Sequence, residues 1–245
     1  MAIFRDGLLS LLVDKYQLSS SSNEFYLLAL GFAILAIAFS YILGSLSSAI
    51  IVSKAMFKED IRDHGSGNAG LTNILRTYGK SAAALTLAGD MLKTAIAILF
   101  TALLFGFSYR NGISMSGFCY LSGLCAVMGH VFPVFYGFKG GKGVLVTATM
   151  ALILTPAVFG ILLLVFIGIV AISGFVSLGS IIVAALFPVA VCLYSYLLCG
   201  NVPMLTVICA LFLGGFVIWC HRTNITRLKN GIEKKISIGK KEKKG

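Results

Sequence analysis

From Val144 to Cys220 the chain contains no Asp, Glu, Lys or Arg. At roughly 20 residues for each crossing of a hydrocarbon layer, an uncharged run of that length holds about four membrane-spanning helices. A water-soluble fold has no place for it. Across 245 residues the chain is 58% hydrophobic and 12% charged, where a soluble domain carries about 25% charged residues. Three further apolar segments lie at 25–56, 81–107 and 117–137, and Gly and Pro divide the long run into 144–155, 157–172, 175–198 and 203–220. Pro156 reads either as a kink in one long helix or as a break between two.

Basic residues decide between these readings. Lys and Arg gather between Lys54 and Lys80, at Lys139 and Lys142, and in the tail from Arg222, which holds nine basic residues against two acidic ones. The positive-inside rule places all three groups in the cytoplasm. An even number of spans then separates Lys142 from Arg222, which favours four short helices over three longer ones. The expectation is an all-α integral membrane protein with about seven transmembrane helices, several short or broken. Its N-terminus is outside, Ser108–Ser116 is an external loop, and its C-terminus is cytoplasmic. Residues 1–24, with five charges and a Ser run, form an amphipathic extension too long for a signal-peptide n-region and without an A-x-A-like cleavage pattern. Residues 25–236 form one multi-helix membrane domain, and 237–245 a basic cytoplasmic tail.

The net charge of +11 points to the lipid bilayer and its anionic headgroups, because the basic residues adjoin membrane helices. Nucleic acid is excluded as a partner, since no aromatic residues interleave with the basic ones for base stacking. The six cysteines lie in or at the ends of apolar segments with no C-x-x-C spacing, and read as packing residues. No set of His, Cys and carboxylates has metal-ligand spacing, so neither a metal nor another cofactor is expected.

Polar residues fall into three clusters on the predicted cytoplasmic side. The first is His64-Gly65-Ser66-Gly67-Asn68-Ala69-Gly70-Leu71-Thr72-Asn73, closed by Arg76, with Gly44-Ser45 upstream. It matches G-x-G-x-x-G, but no strand precedes it, so a dinucleotide site is excluded. What remains is a loop of small residues with exposed N–H groups, suited to an anion or to an ordinary turn. The second cluster runs from Gly129-His130-Val131-Phe132-Pro133 to Lys139-Gly140-Gly141-Lys142-Gly143. Its two lysines flank a Gly pair at the mouth of a helix, where N–H groups and ammonium charges can converge on a phosphate. The same pattern also fits a topology signal on a short turn. In the third cluster, His221 and Asn224 share a helix face at i, i+3, followed by Arg227 and Glu233. Asp90 and Lys93, also i, i+3, lie inside an apolar helix, where each unpaired charge costs roughly 2.5–3.5 kcal/mol; they are expected to pair or to line a polar cavity.

These clusters resemble the bacterial acyl-phosphate:glycerol-3-phosphate acyltransferases, the PlsY family. The pieces that carry the resemblance are G-S-L-S-S-A at 44–49, H-G-S-G-N-A-G-L-T-N-I-L-R at 64–76, G-H-V-F-P-V-F at 129–135, F-K-G-G-K-G at 138–143 and H-R-T-N-I-T-R-L-K-N-G-I-E at 221–233. They cover about 35–235 in order. Ser47 stands where the family usually has Pro, Ala69 and Leu71 replace the usual Ile and Ala, Thr94 a usual Gly, and Ile232 a usual Thr.

The resemblance implies a bacterial plasma (inner) membrane enzyme that moves an acyl chain from acyl phosphate to the 1-hydroxyl of glycerol 3-phosphate. The products are lysophosphatidic acid and inorganic phosphate, the first acylation step of phospholipid synthesis. It implies Arg76, Lys142 and Lys139, with the backbone of Gly140, Gly141 and Gly143, as substrate-binding groups. Ser66, Asn68, Thr72, Asn73 and Ser45 belong to the same binding set. His221 and Asn224 are the expected hydroxyl-handling pair, with Ser66 beside them. Either His221 removes the proton, or a substrate phosphate oxygen takes it while His221 positions the hydroxyl. Glu233 is expected to clamp a loop through Arg or Lys, and the oligomeric state is left open, a monomer being compatible. A phosphate-ester transporter is the alternative class. The clusters all lie on one side and no inverted repeat is visible, which disfavours it.

Overall fold

A computed structural model describes residues 2–19, 21–106, 109–110, 113–114 and 116–235. Eleven helices follow in order among them: α1 Ala2–Lys15, α2 Asn23–Gly44, α3 Ser48–Phe57, α4 Leu71–Tyr78, α5 Lys80–Phe105, α6 Ser116–Val131, α7 Val144–Leu154, α8 Pro156–Ser173, α9 Val176–Cys199, α10 Met204–Cys220 and α11 Arg222–Lys229. The only strands among the described residues, β1 Tyr109–Arg110 and β2 Ile113–Ser114, pair antiparallel in the segment read as an external loop. The remainder of that segment, and the tail 237–245, lie outside the described residues.

α5 is the central helix, packing on α1 through α4, α6 and α7. Its buried positions Ala83, Thr86, Asp90, Lys93, Thr94, Ala97 and Thr101 recur at three and four residues, one stripe of a 3.6-residue period. In lipid a hydroxyl needs a partner within the protein, and Thr86, Thr94 and Thr101 each donate to the carbonyl four residues back, at 2.9, 2.7 and 3.1 Å. α2 and α6 approach closely because small residues face each other. A Cβ on Gly129 would lie 2.2 Å from Tyr41 O, and one on Gly44 would lie 2.3 Å from Ala126 O. Ser40 and Ser122 bond across that contact at 2.7 Å, as interhelical polar pairs do where apolar burial alone gives little drive.

The apolar segment 25–56 is interrupted after Gly44, and α3 restarts with the Ser47 hydroxyl accepting from Ile50 N. Near Pro156 the structure has a break. α7 ends at Leu154, Thr155 leaves helical geometry, and Pro156 opens α8 at a position that needs no N–H. α8 packs on α7 and α9 but fully buries only Val158, and leaves much of its remaining apolar surface open. The apolar helical units stand where they were expected: α2–α3, α5, α6, α7, α8, α9 and α10. Five of them have the length and apolarity of a full span, α10 is apolar and is followed, after a 52° bend, by the polar α11, and α7 is shorter than a span. The N-terminal segment is not set apart from the domain. α1 packs on α5, burying Leu9 and Val13 with Phe25, Leu104 and Phe105.

Candidate active site

The first polar loop runs from a 3-10 turn at Ile61–Asp63 into α4 and is held from within by Asn73. Its Nδ2 donates to His64 O and Asn68 O, both at 3.0 Å, and to Ile61 O at 3.3 Å, while its Oδ1 accepts from Ser66 N at 3.0 Å. The side chain is buried and its polar atoms are engaged by the loop. α4 starts after Gly70 with no side chain capping its N–H groups.

The second loop leaves α6, turns through Val134–Tyr136 and doubles back on the helix it came from. Gly140 N donates to Val131 O at 3.1 Å and Gly141 N to His130 O at 3.0 Å. These two amides therefore close the loop, and the N–H groups free for an anion are displaced onto α7. That helix begins after Gly143, whose φ of 81° suits glycine, and it too has no side-chain cap. Arg62 ties the two loops together. Its guanidinium donates to Tyr136 O at 2.7 Å and to Asp60 Oδ2 at 2.8 Å, and holds the Asp60 carboxyl down at about 2.

The third cluster forms where α10 stops. His221 caps it, outside the span, and lies buried with Nδ1 2.7 Å from Val217 O. A carbonyl only accepts, so Nδ1 carries the proton and Nε2 keeps a lone pair. Burial pushes this imidazole down to about 4. Asn224 Oδ1 accepts from Lys142 Nζ, and its Nδ2 donates to Glu233 Oε1 at 2.7 Å. The same carboxylate oxygen accepts from Ser177 Oγ on α9 at 2.6 Å. Glu233 thus clamps the loop through Asn224 and Ser177, where Arg or Lys was expected. Burial lowers the Lys142 ammonium below the ordinary lysine value.

All three clusters meet at one cavity of about 690 Å³. One end is polar and basic, lined by Arg76, Lys142, Arg227 and Lys234, by the uncapped starts of α4 and α7, and by His221. The remainder is an apolar trough between α5, α7, α8, α9 and α10, walled by Met91, Leu152, Phe159, Phe166, Phe187 and Leu213. A smaller cavity of about 240 Å³ adjoins the polar end and shares Ser66, Asn68, Lys142 and Arg227 with it. Helix N-termini, fixed cations and an apolar trough together suit a phosphate that carries a hydrocarbon tail.

Residues 34–231 match the family model described as glycerol-3-phosphate acyltransferase. The chain belongs to the glycerol-3-phosphate acyltransferase family. Relatives of that name include one from Clostridioides difficile, 43% identical over 80% of this chain and 92% of its own. Another, from Syntrophomonas wolfei, is 40% identical over 80% and 93%. The fold is similar to a crystal structure of PlsY, an integral membrane glycerol 3-phosphate acyltransferase, in its glycerol 3-phosphate form. That match has a TM-score of 0.72 and 33% identity, and covers 84% of this chain and 96% of the other. The lysophosphatidic acid form of PlsY matches with a TM-score of 0.70.

Within this family member, Ser66, Asn68, Thr72, Asn73, Arg76, Asp90, Lys142, Gly143, His221, Asn224 and Glu233 line the main cavity, and Gly141 lines the smaller one. Ser45, Lys93, Lys139 and Gly140 line neither. Ser45 is buried with its hydroxyl on Tyr41 O, and Lys139 is exposed on the outer side of its loop. Asp90 and Lys93 do pair, at 2.8 Å. Three titratable lining residues have no role in the sequence reading: His130, Arg227 and Lys234. His130 and Arg227 stood inside the quoted clusters, so their membership was the available signal.

Proposed function

We propose that this cavity transfers an acyl chain from acyl phosphate to the 1-hydroxyl of glycerol 3-phosphate, releasing lysophosphatidic acid and inorganic phosphate. The observation that carries the reading is the cavity itself, with two uncapped helix starts and four basic side chains at one end and an apolar trough at the other. The relatives' shared name and the two ligand forms of PlsY support the acceptor and product. The chain is a multi-pass membrane protein; the positive charge of its loops supports a site on the cytoplasmic side of a bacterial plasma membrane.

In this reading the phosphates rest on Arg76, Lys142 and Arg227 and on the helix starts, while Ser66 and Asn68 border them. Asn224 and Glu233 hold Lys142 in place, and Asn73 shapes the first loop from inside. The acceptor hydroxyl oxygen attacks the acyl carbonyl carbon, a new C–O bond forms, and the bond to phosphate breaks with phosphate leaving. His221 is a weak base here, because no carboxylate bonds Nδ1 and burial disfavours the imidazolium. Its Nε2 lone pair accepts the hydroxyl's hydrogen bond and orients it, and the proton passes to a substrate phosphate oxygen. The test is donor choice with purified protein in vesicles. Acyl phosphate is expected to support transfer with one phosphate released per lysophosphatidic acid formed. Robust transfer from acyl-CoA with none from acyl phosphate would overturn the proposal.

A further inference from the structure

Behind the polar end of the cavity, a buried cluster joins three parts of the chain that are distant in sequence. Lys93 Nζ on α5 lies 2.8 Å from Asp90 Oδ1, 2.8 Å from Leu46 O at the break between α2 and α3, and 3.2 Å from His130 Nδ1 on α6. All three residues are buried, and Asp90 and His130 also line the cavity. An ammonium has three N–H donors and no acceptor, so it can only donate to the imidazole nitrogen. His130 Nδ1 must then accept. The Asp90 oxygen is 3.8 Å from Nδ1, beyond hydrogen-bond range, consistent with no proton there.

The ring proton is thereby fixed on Nε2, on the side facing the second glycine loop. A Cβ built on Gly141 would lie 2.0 Å from His130 Nε2 and 3.0 Å from Ala69 O of the first loop. His130 also grips the second loop by its backbone, accepting from Gly141 N at 3.0 Å. The imidazole thus stands at the seam between the two loops that frame the phosphate end.

We propose that His130 is a positioning residue for the phosphate site, seating the two glycine loops against each other, and that Lys93 sets the tautomer in which it does so. The inference rests on the reading that the polar end binds phosphate. In reconstituted protein, His130→Leu is expected to raise KM for glycerol 3-phosphate and weaken inhibition by inorganic phosphate about 10-fold or more, with kcat changed less than about 3-fold. His130→Gln, whose terminal amide can place an N–H near the Nε2 position, is expected to restore KM. Asp90→Asn with Lys93→Met removes both charges together and frees the tautomer. It should raise the same KM, and adding His130→Leu should raise it no further. An unchanged KM in folded His130→Leu, failure of Gln to rescue, or effects that multiply independently would overturn the inference. Because a buried substitution can prevent folding, nitrogen NMR of the labelled wild-type protein supplies a second arm. It is expected to show Nδ1 unprotonated and Nε2 protonated, and the opposite tautomer would overturn the inference. A wild type that binds phosphate but transfers no acyl group would instead sink the acyltransferase reading alone.

Discussion

Among single residues, the buried amides and imidazoles carry the most information, because each has few ways to satisfy its polar atoms. Asn73 reads from sequence as a substrate-binding group and Asn224 as a hydroxyl-handling one, yet the fold turns both onto protein partners, one onto its own loop and one onto Lys142 and Glu233. Residue type and cluster membership were legible in the sequence; the direction of an amide within a loop is set by the turn that encloses it. Gly141 shows the same limit. Its N–H closes on His130 O, and its missing Cβ makes room for the His130 ring. For His221 the consequence is measurable in stability. Its folded value of about 4 is below the ordinary 6.5, so the folded state binds fewer protons than the unfolded one between those values. The stability contributed is present above about 6.5 and lost as pH falls toward about 4. Wild-type unfolding free energy should therefore fall more steeply with acidification in that window than that of His221→Gln, by up to about 1.4 kcal/mol per pH unit. Parallel curves would contradict the buried neutral imidazole.

At the scale of elements, hydropathy and punctuation located the apolar units because lipid leaves the backbone few alternatives to helix. Length was harder to read. α7, at 11 residues, rises only about 16 Å, and it is followed by a break that periodicity alone could not distinguish from a kink. The pairing of elements nevertheless supports the charge-based topology. Lys142 before α7 and Ser177 at the start of α9 both reach the Asn224–Glu233 cluster, so α7 and α8 together leave that side and return to it. α9 and α10 do the same, ending at His221. With the native cysteines replaced, single labels at Ser21 and Asn201 are expected to react from outside. Labels at Gly137 and Gly174 are expected to react only from inside. An external Gly174 would break the even count between Lys142 and Arg222 and with it the cytoplasmic placement of the site.

For the whole molecule, the sequence told of polar clusters on one side but not of the trough beneath them, since its walls come from five helices whose apolar residues look alike in one dimension. α7 packs between α5 and α8, and the lining residues Leu87, Leu152 and Leu163 remain 36–40% exposed. On that side the cavity opens toward lipid. A membrane-dissolved tail can enter the trough there while its phosphate meets the loops from the aqueous side. The most direct test uses a non-hydrolysable acyl phosphonate with a photoreactive group at the end of its tail, bound to the protein in vesicles and mapped after irradiation. The account predicts crosslinks at trough residues such as Leu152, Phe159 and Phe166, competed by unlabelled acyl phosphate and diminished in folded Lys142→Met. Labelling confined to lipid-facing positions such as Ile172 and Leu197, without competition, would contradict it.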